Sequence, residues 1–288
     1  MPATMSSGYD QPRFRFGANW KNFVGKISEA HIHTAEVALA DMLGRESLRG
    51  CRFLDVGCGS GLSSLAARRL GAEVVSFDYD DQSVECTRDL RGRYCGDDRQ
   101  WSVTQGNVLD TSFMESLGTF DVVYSWGVLH HTGRMWEAID ATIDRVRVGG
   151  QLFIAIYNDQ GPTSRRWAAV KRIYVSGPLG EVAVKALFLP AFAGKRALAD
   201  VLHGRSPMRR YRDYRRNRGM SLWTDWIDWL GGYPFEVAKP EALFHHVREK
   251  GFTLTRLTTR GGGLGCNELV FARGVTVESP EQTSASNV

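Results

Sequence analysis

The segment Leu54-Asp55-Val56-Gly57-Cys58-Gly59-Ser60-Gly61 constrains the fold of this chain more than any other. It follows a short apolar run that begins at Arg52, and it opens a helical pattern that runs to Leu70. Glycine adopts backbone conformations that other residues avoid, so glycines at alternate positions allow a tight turn and a close approach of the main chain to a ligand. A strand, a ligand-binding turn and a helix are therefore predicted here.

Alternation of short apolar runs with longer helical patterns extends this unit over residues 51–157 and resumes after Pro240. Such alternation predicts an α/β fold with a doubly wound, mostly parallel seven-stranded sheet flanked by helices. The predicted strands are 52–56, 73–77, 101–105, 120–124, 151–157, 252–259 and 267–272. The predicted helices are 27–42, 61–70, 81–94, 134–146 and 241–250, and a turn is expected at Gly149-Gly150.

An acidic residue, Asp78, ends the second predicted strand, 17 residues after Gly61. A carboxylate at that point is suited to accept hydrogen bonds from ribose hydroxyls. The glycine pattern is GxGxG and departs from the GxGxxG of dinucleotide-binding folds, because position 62 is leucine. The bulk of the Leu62 side chain disfavours a pyrophosphate at the start of the helix.

On these residues the chain resembles the class I S-adenosylmethionine-dependent methyltransferases, over roughly residues 50–157 and 241–273. The resemblance implies a Rossmann-like fold and S-adenosyl-L-methionine as cofactor. It also implies that the glycine loop surrounds the amino-acid end of the cofactor and that Asp78 holds its ribose. At the exit of the third strand the family often has Asp, whereas this chain has Asn107. The cofactor-binding residues that we expect are Asp55, Gly57, Gly59, Ser60, Gly61, Asp78, Tyr79, Asn107, Val108 and Ser125, together with Trp20 and Phe23 from the N-terminal segment.

Two adjacent histidines, His130 and His131, follow the fourth predicted strand and are the candidate catalytic residues. A neutral imidazole can accept the proton that an acceptor loses on methylation. Neighbouring side chains diverge, so only one of the two is expected to face the site, and His130 is favoured. The alternative is that one or both imidazoles order the loop through hydrogen bonds to the backbone.

Residues 158–240 carry 15 Lys or Arg against 7 Asp or Glu, whereas the whole chain has a net charge of only +4. We interpret this segment as a helical insertion that forms a lid over the acceptor. Three tryptophans at positions 223, 226 and 229 predict one stripe on a helix. The predicted substrate-binding residues are Trp126, Tyr157, Asn158, Arg212, Arg216, Trp223, Trp226 and Tyr233. The alternative is that the tryptophans pack the insertion onto the sheet and the arginines are solvated.

The domain organisation that we expect is a flexible tail over 1–13, a methyltransferase domain over 14–157 and 241–273, the basic insertion over 158–240 and a second tail over 274–288. The five cysteines lack CxxC spacing, so no metal is expected. No apolar stretch is long enough to cross a membrane, and the first residues lack a secretion signal, so a cytoplasmic location is expected.

The function expected from these features is methylation of a small, anionic metabolite, with oxygen favoured over nitrogen and carbon. A natural-product or glycan precursor would be such an acceptor, and the insertion could also mediate homo-oligomerisation. Three alternatives stay open: cyclisation of the cofactor itself, a cofactor-binding partner module without catalysis, and RNA methylation. Nucleic acid is disfavoured because the basic run is short.

Overall fold

A seven-stranded sheet in the order β3-β2-β1-β4-β5-β7-β6 forms the centre of the molecule in a computed structural model, which describes residues 14, 16–204, 206 and 222–274. Strand β7 runs antiparallel to both of its neighbours, and the other pairs are parallel. This arrangement confirms the predicted doubly wound α/β fold. The strands are β1 (Arg52–Val56), β2 (Glu73–Asp78), β3 (Trp101–Gln105), β4 (Phe120–Trp126), β5 (Val146–Tyr157), β6 (Phe252–Thr258) and β7 (Cys266–Arg273).

The helices alternate with these strands and cover both faces of the sheet. Both α1 and α2 precede the sheet, and α7 to α9 lie between β5 and the helix that leads into β6. The bounds are α1 (Gly17–Val24), α2 (Glu29–Leu43), α3 (Leu62–Arg69), α4 (Asp81–Cys95), α5 (Thr111–Ser116), α6 (Met135–Ile143), α7 (Pro162–Tyr174), α8 (Pro178–Leu202), α9 (Leu222–Gly231) and α10 (Pro240–Glu249). A short 3-10 helix, Leu129–His131, follows β4.

Alternate residues of each central strand pack into separate hydrophobic clusters on the two faces of the sheet. In β1, Leu54 and Val56 belong to one cluster and Phe53 to the other, and all three are fully buried. Because side chains alternate between the faces of a strand and helices cover both faces, the central strands are mostly apolar on both faces, with a few buried polar side chains such as Asp55 and Ser125.

The boundary between α6 and β5 differs from the sequence expectation. The predicted helix extended to residue 146 and a turn followed at Gly149-Gly150, but α6 ends at Ile143 and β5 already begins at Val146. The two glycines lie within this strand, where the register with β4 shifts. A Cβ on Gly150 would lie 2.9 Å from the carbonyl oxygen of Asp121, so glycine permits the close approach of the two backbones.

The described part of the insertion is helical. Its helices α7, α8 and α9 share a third hydrophobic cluster that includes Tyr174, Val184, Leu189 and Leu230. The predicted contacts of Arg212 and Arg216, and the two predicted tails over 1–13 and 274–288 apart from Gly274, lie outside the described residues. Among the described helices none combines the length and apolar character needed to span a membrane.

Candidate active site

A cavity of about 1470 Å³ lies at the carboxyl ends of the parallel strands, between the sheet, the N-terminal segment and the insertion. The loops that follow β1, β2, β3 and β4 line one part, and α8, α9 and the turn after α9 line another. Ligands of open α/β sheets bind at this edge. Of the predicted site residues, the cavity is lined by Trp20, Asp55, Gly57, Gly59, Ser60, Asp78, Tyr79, Asn107, Val108, Trp126, His131, Tyr157, Trp226 and Tyr233.

The glycine loop is folded into a shape that only glycine accommodates. Gly57, Gly59 and Gly61 have φ angles of 82°, 53° and 80°, in the left-handed region that residues with a Cβ rarely adopt. A Cβ on Gly57 would also lie 2.4 Å from Cγ1 of Val128. Gly61 caps α3 and lies outside the cavity lining, so it turns the chain here, and its contact with the cofactor stays a prediction.

The carboxylate of Asp78 lies against this loop. Its Oδ2 accepts a hydrogen bond of 2.9 Å from the main-chain N–H of Gly59, and its Oδ1 accepts one of 2.9 Å from that of Asp80. Burial raises the pKa of Asp78 to about 6, because desolvation penalises the charged form. The group is therefore predominantly ionised at neutral pH and can accept hydrogen bonds from a ligand.

Asp55 is almost fully buried beneath the same loop. Ser64 donates a hydrogen bond from Oγ to Oδ2 of Asp55 over 2.5 Å. Burial raises the pKa of Asp55 to about 7, and the hydrogen bond from Ser64 acts in the opposite direction. The carboxyl group of Asp55 therefore titrates near neutral pH and lies at the bottom of the cavity.

Helix α1 covers the glycine loop from the N-terminal side. The main-chain N–H of Gly17 donates to Oδ2 of Asp80 over 2.9 Å, which ties α1 to the start of α4. A Cβ on Gly59 would lie 3.2 Å from Nε1 of Trp20, so the indole packs directly over the loop. Phe23 packs in the hydrophobic core and does not line the cavity, and its contact with the cofactor stays a prediction.

Asn107 lines the cavity after β3, but its amide oxygen already has a partner. Oδ1 of Asn107 accepts a hydrogen bond of 3.0 Å from the main-chain N–H of Leu109. The amide NH₂ group is therefore the side-chain group best placed to serve a ligand, in contrast to the expected contact through the carbonyl oxygen. Ser125 is fully buried and donates to the carbonyl oxygen of Val56, so it joins two strands and does not reach the cavity.

The two histidines occupy different environments. His131 lines the cavity, and its Nδ1 lies 2.6 Å from the carbonyl oxygen of Pro234. His130 is fully buried outside the cavity lining, where its Nδ1 accepts a hydrogen bond of 3.4 Å from the main-chain N–H of Tyr157. Of the two imidazoles only that of His131 lines the cavity, so its position favours His131 over His130, and the catalytic role of either stays a prediction.

Aromatic side chains form the wall of the cavity that faces the glycine loop. Tyr157 packs against His131, with ring centroids 5.6 Å apart, and against Trp229 at 5.6 Å. The three tryptophans of α9 do not all line the cavity. Trp226 and Trp229 line it, whereas Trp223 lies outside it and is 47% exposed. The substrate contact of Trp223 stays a prediction. The wall also contains three aromatic residues that the sequence analysis did not assign to it, namely Phe14, Phe16 and Phe192.

Asn158 holds a loop in place and does not line this cavity. Its Nδ2 donates to the carbonyl oxygens of Gly261 and Gly263, at 3.0 and 3.3 Å, and its Oδ1 accepts from Nδ2 of Asn267 at 3.1 Å. The side chain is almost fully buried with its hydrogen-bonding groups in use. Asn158 therefore anchors the glycine-rich connection between β6 and β7, and its contact with the substrate stays a prediction.

Three basic residues line the cavity that the sequence analysis missed. Lys195 and Arg196 come from α8, and Arg260 comes from the connection between β6 and β7. The helical spacing of Phe192, Lys195, Arg196 and Ala199, all of which line the cavity, was the available signal. Among the described side chains, no group of three or more His, Cys, Asp or Glu could hold a metal ion.

Comparisons with known proteins agree with this geometry. A sequence model of the methyltransferase domain matches residues 54–152. A ubiquinone biosynthesis O-methyltransferase of Xanthomonas campestris is 31% identical over 181 residues, which cover 61% of this chain and 72% of that protein. The chain belongs to the class I S-adenosylmethionine-dependent methyltransferases. A second relative of the same name, from Brucella anthropi, is 32% identical over 155 residues, or 50% of this chain and 60% of that protein.

Solved methyltransferase structures share the fold at low sequence identity. Magnesium protoporphyrin IX methyltransferase from Synechocystis, with bound S-adenosylhomocysteine (SAH), has a TM-score of 0.52 and 15% identity over 89% of this chain and 94% of that one. An O-methyltransferase family protein from Burkholderia thailandensis has a TM-score of 0.52 and 14% identity over 86% of this chain and 58% of that one. At such identities the likeness concerns the fold alone.

The methyltransferase uses S-adenosyl-L-methionine, and the residues present fit this cofactor. The glycine loop offers main-chain groups without Cβ atoms in the way, and the oxygens of Asp78 lie beside it. The cavity is larger than the roughly 300–1,000 Å³ that one small ligand usually occupies, so it has room for a cofactor and an acceptor together.

Proposed function

We propose that this methyltransferase methylates an oxygen atom of a small, anionic acceptor. The observation that carries the proposal is a single cavity whose lining joins the glycine loop and Asp78 to an aromatic wall containing His131. The name of the relatives, O-methyltransferase, supports oxygen as the methylated atom. When bound, S-adenosylmethionine supplies a methyl group on a positively charged sulfur, which needs no further activation by the protein.

The cofactor half of the cavity is assigned to the loops after β1, β2 and β3. The main chain of Gly57, Cys58 and Gly59 would receive the amino-acid end of the cofactor, and the carboxylate of Asp78 would accept hydrogen bonds from its ribose hydroxyls. Asn107 and Val108 would contact the adenine ring of the cofactor. Trp20 would cover the cofactor, because its indole already packs over Gly59.

His131 is suited to take a proton from the acceptor hydroxyl. A carbonyl oxygen can only accept a hydrogen bond, so the short contact with Pro234 requires that Nδ1 of His131 carries the hydrogen. The lone pair of the neutral ring is then on Nε2. Burial lowers the pKa of His131 to about 3, so the ring is neutral at physiological pH but weakly basic in the unliganded site. The assignment of His131 as the base therefore rests on its position in the cavity wall.

The segment before α1 and the turn after α9 would restrict access of water to the reacting groups. Phe14 donates a main-chain hydrogen bond of 3.0 Å to the carbonyl oxygen of Tyr233, which joins the N-terminal segment to the turn after α9. Phe16 contacts His131 with ring centroids 5.1 Å apart. The apolar surroundings favour methyl transfer over side reactions with water, and the packed rings orient the acceptor.

The anionic character of the acceptor follows from the charge of the insertion. Residues 158–240 carry 15 basic against 7 acidic residues. Lys195 and Arg196 from this segment line the cavity itself. Opposite charge attracts an acceptor to the site and fixes its orientation within it.

The test is transfer of a labelled methyl group from S-adenosylmethionine to a panel of hydroxylated acids, each paired with its neutral amide. We expect labelled O-methyl products from the acids and at least about tenfold less from the amides, as loss of a charged hydrogen bond implies. A reaction without any acceptor serves as control, because a product formed there would indicate cyclisation of the cofactor. Methylation of neutral compounds alone would contradict the anionic acceptor, and methylation of RNA but of no small molecule would contradict the proposal.

A further inference from the structure

One face of α8 carries two positive charges into the acceptor half of the cavity. Phe192, Lys195, Arg196 and Ala199 all line the cavity. At 3.6 residues per turn these positions fall within about 100° of the helix circumference. The two basic side chains therefore lie on the side of the helix that faces the cavity, and both are exposed to solvent there.

The guanidinium of Arg196 is placed over an aromatic ring. Its Cζ lies 5.8 Å from the centroid of the Trp226 ring, and the Trp226 ring packs against Phe192 with centroids 5.8 Å apart. A guanidinium that stacks by its face leaves the N–H donors on its edge available, in a planar arrangement that matches carboxylate, phosphate or sulfate groups.

Neither basic side chain is neutralised within the described part of the chain. No ion pair joins Lys195 or Arg196 to a carboxylate among the described residues, whereas Lys185 on the same helix pairs with Glu181. Asp228 is the acidic residue of α9 that also lines the cavity. Two basic residues against one acidic residue leave the wall formed by α8 and α9 positively charged.

We infer that Lys195 and Arg196 form an anion subsite that binds the carboxylate, phosphate or sulfate group of the acceptor, with Trp226 and Phe192 packing against the adjoining apolar part. This inference rests on the proposed function and deepens it, because it assigns the specificity for an anion to α8. The sequence analysis had given that role to Arg212 and Arg216.

The experiment compares two fluorescent probes that differ only in their charged group, anilinonaphthalene sulfonate and the uncharged phenylnaphthylamine. Both are titrated into the full chain in the presence of saturating SAH, which occupies the cofactor half. We expect the sulfonate to bind at least about tenfold more tightly than the uncharged probe. Arg196→Met and Lys195→Met should each weaken binding of the sulfonate about tenfold and leave the uncharged probe unaffected.

Lys185→Met is the matched control, because it removes one positive charge from the same helix outside the cavity lining. Equal weakening by Lys185→Met would show that the general charge of the helix acts on the probe, and this would overturn the subsite. Unchanged binding in both cavity variants would overturn it as well. A loss of SAH affinity in Arg196→Met would assign this arginine to the cofactor's carboxylate instead.

The outcome is independent of turnover. If the sulfonate binds as expected but no small molecule is methylated, the proposed function fails and the subsite stands. If acids are methylated but Arg196→Met keeps the wild-type preference for acids over amides, the subsite fails and the proposed function stands.

Discussion

Nδ1 of His131 lies 2.6 Å from the carbonyl oxygen of Pro234, and this contact joins the segment after β4 to the turn after α9. The two residues are 103 positions apart in sequence. The contact fixes the tautomer of the imidazole and places the insertion against the residues at the carboxyl ends of the strands. It therefore connects His131, the proposed general base, to the segment that covers the molecule to be methylated.

We predict that His131→Ala lowers kcat by about a hundredfold or more, the loss typical of removing a general base. His245→Ala is the control, because His245 is exposed and lies outside the cavity of His131. Burial lowers the pKa of His131 to about 3, so the kcat profile should show no titration of this imidazole between about pH 5 and 8. A wild-type rate in His131→Ala would leave orientation of the acceptor as the only role of this wall.

Gly57→Ala should weaken binding of SAH by about tenfold or more. The reason is the φ angle of 82° at Gly57 together with the distance of 2.4 Å that a Cβ would have from Cγ1 of Val128. Gly92→Ala is the control, because a Cβ on this glycine of α4 meets nothing within 4 Å. Calorimetric titration measures both affinities, and equal affinity for Gly57→Ala and wild type would show that the loop does not shape the cofactor site.

Lys171→Met should flatten the pH dependence of stability between about pH 7 and 9. Lys171 is fully buried, donates a hydrogen bond to the carbonyl oxygen of Trp229 and lies over the Trp229 ring, with Nζ 4.1 Å from its centroid. Burial lowers the pKa of this lysine from 10.5 to about 7. Between these two values the unfolded chain binds more protons than the folded chain, so the free energy of unfolding should rise with pH.

Lys171 contributes at most about 1.4 kcal/mol per pH unit to this slope. Urea unfolding at about pH 7 and about pH 9 measures the slope. Lys185→Met is the control, because a hydrogen bond to Glu181 raises the pKa of Lys185 and moves its titration above this range. A Lys171→Met variant with the wild-type slope would show that the amine titrates in the same way in the folded and unfolded chains.

Local spacing was sufficient to predict the sheet and the meeting of the glycine loop with Asp78 at one of its edges. The glycines at 57, 59 and 61 and the acid at 78 each lie beside a strand whose apolar pattern is evident, so their positions at one edge of the sheet follow from the fold. The loop and Asp78 are in direct contact through the N–H of Gly59, as this proximity implies.

The acceptor half could be predicted only in outline, because its residues meet through contacts between distant segments. Nothing local distinguishes His130 from His131, since the difference depends on the burial of one ring under Tyr157 and the contact of the other with Pro234. Asn158 looked like a polar residue at a ligand edge, whereas its hydrogen bonds go to the connection between β6 and β7.

The basic residues of the wall were missed for a related reason, and the contacts predicted for Arg212 and Arg216 stay predictions. Dense charge in sequence drew attention to positions 209–218, whereas Lys195 and Arg196 lie in a helix whose few charged residues are spread among apolar ones. Which face of a long helix meets a cavity depends on the packing of its neighbours, and here Trp226 from α9 determines it.

Calorimetric titration of SAH into the wild-type chain and Asp78→Asn tests the central claim most directly. We predict one bound molecule per wild-type chain and affinity about tenfold to a hundredfold lower for Asp78→Asn, because the variant loses the charged acceptor for the ribose hydroxyls. Asp97→Asn, which removes an exposed carboxylate of the same sheet domain, should bind like the wild type. Absence of heat with the folded wild-type chain, or full affinity in Asp78→Asn, would contradict the assignment of this cavity to the cofactor.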